Sequence, residues 1–232
     1  MNESLAREEI CRVGRSMFER GYVHATAGNI SVRLGDEHGG GFLITPTDAC
    51  LGLLDPARLA RLDADGAQQS GDRASKTIAL HRRIYRASAA TGAPARCVIH
   101  THSTHCVALT LHQASLAPPP ARERELLPAL TPYFVMKVGH VPLIDYARPG
   151  DPVAAERVEA TIVRYAAAGT PIRAVMLERL GPNVWHSSPA AAMATLEELE
   201  ETARLWLLCE QQAQPLNEDQ LAALRDAFGA RW

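Results

Sequence analysis

The run Val98-Ile-His-Thr-His-Ser-Thr-His-Cys106 concentrates more chemistry than any other stretch of the chain. Side chains alternate between faces along a strand, so His100 and His102 point the same way. Two neutral imidazoles a few ångströms apart suit a zinc-type divalent ion. An apolar strand leads into the pair and turn residues follow it, which predicts a site at a strand end. His105 falls on the next helix and reads as a packing residue or a support for a ligand. Taken alone, two hydrogen-bonded surface histidines would give the same short pattern.

Three further segments offer anion chemistry. In Ala25-Thr-Ala-Gly-Asn-Ile-Ser-Val-Arg33, Gly28 permits a close turn, Asn29 and Ser31 supply neutral donors, and Arg33 a charged fork. Ile44-Thr-Pro-Thr-Asp48 places the hydroxyls of Thr45 and Thr47 around a tight turn. Gly71-Asp-Arg-Ala-Ser-Lys-Thr77 sets Ser75 and Lys76 at an expected helix start, where free N–H groups and the helix dipole favour an anion. Singly, such turns are most often only turns.

These segments need elements to hold them. Helical spacing of Ile10, Val13 and Met17 predicts a helix from Ser4 to Gly21. Strands are expected over Gly28–Arg33, Gly41–Ile44, Ala95–Thr101, Val135–Val138, Arg173–Leu177 and Asn183–His186, with one or two more within Asp55–Asp72. Ser75 is read as the N-cap of a helix reaching Ala90, and another helix spans Ser103–Leu111. A Pro-rich loop covers Ala117–Pro120. Asp151-Pro152, Ser188-Pro189 and Asn217 open the last three helices. No repeat or linker breaks the pattern, so the expectation is one α/β/α domain over residues 1–232.

Composition narrows the function. The 232 residues are 47% hydrophobic and 22% charged, with a net charge of −2, which gives no reason to expect nucleic acid or an anionic membrane. No apolar run approaches the ~20 residues that span a bilayer. The acidic start lacks the order of a signal peptide. Five scattered cysteines without a CxxC fit reduced thiols, and so a cytoplasmic protein.

Taken in order, GNIS, ITPT, the serine-containing helix start and IHTHS resemble the class II aldolase/adducin family, across Glu9 to about Glu210. Leu51-Gly-Leu-Leu-Asp-Pro-Ala-Arg-Leu59, Tyr133-Phe-Val-Met-Lys-Val-Gly139, Pro142-Leu143 and Arg148-Pro-Gly-Asp-Pro152 look like its 3-oxo-tetronate 4-phosphate decarboxylase branch. The resemblance implies a central, mostly antiparallel sheet flanked by helices, and a homotetramer with sites between subunits. It implies a lyase that converts a phosphorylated four-carbon 3-oxo acid to dihydroxyacetone phosphate and CO2. It also implies a divalent metal, zinc or manganese, at His100 and His102. Phosphate would meet Gly28, Asn29, Ser31, Thr45, Thr47, Ser75 and Lys76. The catalytic positions would be Thr77, Lys76 and Tyr133, the last as a substrate contact, since the family often draws a tyrosine from a neighbouring subunit.

Two positions depart from the family pattern. Thr77 stands where the family carries an acid/base glutamate, and Leu180 stands where it carries a third metal histidine before a glycine. Threonine does not shuttle protons at neutral pH, and leucine binds no metal. Glu178, two residues earlier, is the first candidate replacement ligand, with His140 and His186 behind it. The alternatives to a lyase are a same-fold protein with altered chemistry and a non-catalytic binding or assembly protein.

Overall fold

The computed structural model describes residues 1–113 and 124–232, and the Pro-rich loop Ala117–Pro120 lies outside them. Eight strands form one sheet: β1 (Asn29–Arg33), β2 (Phe42–Ile44), β3 (Ala60–Leu62), β4 (Gln68–Ser70), β5 (Cys97–His100), β6 (Leu143–Ile144), β7 (Ala174–Leu177) and β8 (Gly181–His186). Their order is β4-β3-β2-β1-β5-β8-β7-β6. Every neighbouring pair is antiparallel except β6 and β7. The chain is therefore α/β with a mostly antiparallel sheet, as the resemblance implied.

Helices cover both faces, as alternation along the strands requires. Ile30, Val32, Cys97, Ile99 and Val184 point to one face, where they pack with Ile10, Met17 and Leu196 from α1 (Glu3–Glu19) and α6 (Pro189–Leu208). Val98, Ile44, Trp185 and Val175 point to the other, against Ile84 of α2 (Ile78–Ala89) and Val158 of α5 (Pro152–Ala167). The outer surfaces of α2 and α5 are tied by Arg83 and Arg86 to Glu159. Helix α3 is Thr104–Gln113 and α4 is Pro132–Lys137, and α7 closes the chain at Glu218–Phe228.

The expected starts hold where a cap is present. Asp151 accepts from Val153 N, Ser188 from Ala191 N, and Asn217 forms a capping box with Gln220. Val135–Val138 is not a strand. It belongs to α4, because Thr131 accepts the Phe134 N–H and Pro132 supplies the preset first helical residue. A short apolar run carries no period that separates the two states. Helix α2 also starts later than expected: Ser75 precedes it by a turn, in which Ile78 N donates to Ser75 O and Ala79 N to Lys76 O. The Ile78 N–H, one of the groups expected to meet an anion, is thus already engaged.

Glu200 on α6 fixes the segment that follows the HxH pair. It is 4% exposed and accepts from the backbone N–H groups of His105 and Cys106 at 2.9 and 3.1 Å. The His105 ring lies 2.8 Å from the same carboxylate, which turns it toward α6.

Candidate active site

Three polar side chains line up across the middle of the sheet. Antiparallel register sets Asn29 of β1 opposite His100 of β5, and His100 opposite Asn183 of β8. All three are buried and face α2 and α5. Asn29 Oδ1 and both amide atoms of Asn183 have no partner among the described residues. A buried polar group without a partner costs about 1–3 kcal/mol. Such a row is expected where a polar ligand is to be received.

His100 is oriented by its backbone neighbour. Its Nδ1 lies 3.0 Å from Pro182 O, and a carbonyl only accepts, so Nδ1 carries the proton and Nε2 keeps its lone pair. The ring centres of His100 and His102 are 5.0 Å apart. Two imidazoles sharing a tetrahedral ion through ~2.0–2.1 Å bonds hold their centres about 5 Å apart, so the pair fits a divalent metal. Burial, then the neighbouring His102, pushes the His100 ring down to about 4, and burial also lowers His102. Both are therefore neutral at pH 7, as a metal ligand must be. As the side chains stand, no third His, Cys, Asp or Glu completes the set among the described residues.

Glu178 does not supply it. Strand β7 ends at Leu177, so Glu178 and Leu180 sit in a turn and not on one strand face. The Glu178 carboxylate accepts from Tyr146 N at 2.8 Å and lies 3.8 Å from Arg124. Leu180 packs against the apolar cluster under α2 and α5. His186 pairs with Cys97 at the opposite end of β5 from His100. His140 stacks on Trp232 beside Glu125.

The expected phosphate residues divide into two groups. Asn29, Ser75 and Thr77 come together: Asn29 Nδ2 donates to Thr77 Oγ1 at 3.2 Å, and Ser75 Oγ lies 3.3 Å from it. Exposed Lys76 sits between the last two, and Thr47 lines an adjoining cleft of about 540 Å³ with Arg58 and Arg73. Thr45 and Ser31, by contrast, are fully buried and spent on the fold. Thr45 Oγ1 accepts from Ile30 N, and Ser31 Oγ bonds the His81 Nδ1 and the Tyr85 hydroxyl, each at 2.8 Å. Tyr133 is 62% exposed on α4, which packs on α6 and α7. Gly28 has φ +83°, and a Cβ there would meet His100 O at 2.9 Å, so glycine is required for the loop to lie on β5.

The sheet and this paired-histidine end define a class. The chain belongs to the family described as the class II aldolase and adducin N-terminal domain, whose model matches residues 8–207. It is 52% identical to a Cupriavidus necator protein named 3-oxo-tetronate 4-phosphate decarboxylase, with 99% of each chain covered. An Escherichia coli K12 protein of the same name is 38% identical, over 96% of each. The crystal structure of YgbL from Escherichia coli, a putative aldolase/epimerase/decarboxylase, superposes with a TM-score of 0.80 at 37% identity, covering 96% of this chain and 99% of that one.

Proposed function

We propose that this chain is a divalent-metal-dependent carbon–carbon lyase that decarboxylates a 3-oxo-tetronate 4-phosphate to dihydroxyacetone phosphate and CO2. The observation that carries the reading is the His100–His102 pair, spaced for one ion and fixed in tautomer by Pro182 O. Its likeness to decarboxylases over nearly the whole chain supports the substrate class.

A bound divalent ion supplies Lewis acidity toward the 3-oxo oxygen. His100 and His102 would hold it. Asn29, tied to Thr77, presents its free Oδ1 to the same row and orients a substrate hydroxyl. Ser75 and the exposed Lys76 ammonium anchor the phosphate, which turns remote binding into orientation. The bond between the carboxylate carbon and C2 then breaks, and its electron pair passes to C2–C3 and the 3-oxo oxygen. A proton returns to C2. No C–H bond is broken, so Thr77 in place of a glutamate leaves this reaction accessible, with water as the proton source. Among the described residues no helix is long and apolar enough to cross a membrane. The reading is of a cytoplasmic enzyme assembled as a homotetramer, with exposed Tyr133 of one subunit reaching a neighbour's site.

The test is incubation of purified protein with 3-oxo-tetronate 4-phosphates and zinc or manganese. Release of CO2 with dihydroxyacetone phosphate in equal amounts is expected. Failure to release either, with both metals, removes the reading. Retained binding without turnover would favour altered chemistry, to which Thr77 and Leu180 already point.

A further inference from the structure

We infer that His24 is the third imidazole of the metal site, swinging from the loop before β1 to join His100 and His102. The inference rests on the metal reading above and names a ligand that it lacks. A catalytic zinc ordinarily takes three protein ligands and keeps one open position.

The His24 ring centre lies 6.5 Å from that of His102. Sharing an ion requires about 5 Å, so the ring has about 1.5 Å to travel. His24 is exposed, and a histidine side chain covers that distance by rotating about its own bonds. The loop is held in position by the residues that follow His24. Ala27 N donates to His24 O at 2.9 Å, and Gly28 seats the backbone against the carbonyl of His100. The loop therefore holds this side chain beside His102.

The competing ligands are committed elsewhere. Glu178 accepts from Tyr146 N, the His105 ring is turned to the Glu200 carboxylate, and His81 is fully buried and tethered through Nδ1 to Ser31, with no freedom to swing. Leu180 is apolar and packed. His24 is exposed and already in ring contact with His102, and it brings an imidazole that suits the same class of ion as its neighbours.

Metal binding tests this without relying on turnover. Zinc affinity is measured by chelator competition on the full chain, with cobalt spectra as a second readout. Wild type is expected to bind one ion per subunit. His24→Ala should weaken zinc at least tenfold and change the cobalt absorption, while His38→Ala, at the far end of β1, should do neither. Zinc added to wild type should shift the ring nitrogen resonances of His24 together with those of His100 and His102. Because His24 is exposed, an unchanged circular dichroism melt confirms that the variant folds; were it altered, the resonance shifts in wild type decide the matter. Wild-type affinity kept within threefold in folded His24→Ala, or a His24 ring unmoved by zinc, overturns the inference alone. A wild-type chain that binds no metal overturns the metal reading with it.

Discussion

Acid should unfold the metal-free protein partly through His81. This ring is fully buried beneath β1, bonded through Nδ1 to Ser31 Oγ at 2.8 Å, with Nε2 unpartnered among the described residues. Burial, with a smaller contribution from His100, pushes it from the usual 6.5 down to about 3. A ring depressed in this way takes its proton only in the unfolded chain. Its contribution to stability is therefore whole above the unfolded value and is lost as pH falls from 6.5 toward 3. Between pH 7 and pH 5 the unfolded state gains about 2 kcal/mol from this one group. His100, lowered to about 4, acts in the same direction and by a similar amount. Urea unfolding followed by fluorescence of buried Trp185, at fixed protein concentration and with chelator present, measures the sum. In His81→Asn, which keeps a short polar group toward Ser31 but does not titrate, the fall over the same interval should shrink by about 2 kcal/mol. Parallel pH profiles in wild type and variant would refute the reasoning, whatever their offset at pH 7.

His100→Ala should abolish measurable zinc binding by chelator competition and cut decarboxylation by at least about 100-fold, since it removes a ligand and its Pro182 tether together. Thr77→Val should retain activity to within about tenfold in a CO2-release assay, because the proposed reaction needs no side-chain base. Lys76→Met should raise KM for the phosphorylated substrate far more than it lowers kcat, if the exposed ammonium serves binding alone. Glu200→Ala should cost about 2–3 kcal/mol in urea unfolding, because two backbone N–H groups at the start of α3 lose their buried acceptor.

The HxH pair could be read in the sequence because residues two apart stay close in extended chain: β5 stops at His100, yet the His102 ring just beyond it lies 5.0 Å away. The caps at Asp151, Ser188 and Asn217 were equally local. What failed depended on partners distant in sequence. Ser31 and Thr45 have the residue types of a phosphate site, but α2 lies over the one and the Ile30 N–H claims the other. Glu178 could pass for a ligand only while β7 was imagined to run through it, and the strand ends one residue sooner. His24 gave no signal, since a lone histidine in a loop has no period, and its relation to His102 exists only after Gly28 has brought the loop to β5. Asn183 was read merely as the start of a strand, although a buried amide opposite His100 belongs to the site.

The carbonyl that fixes the His100 tautomer comes from Pro182, far along the chain from the ring it serves. A nascent polypeptide cannot set that imidazole correctly until β8 has been made and has slotted between β5 and β7. Pairings this remote in sequence form late. On the proposed reading, metal capture waits for β8, and partially synthesised or truncated chains that lack it have no finished trap in which to sequester scarce cations.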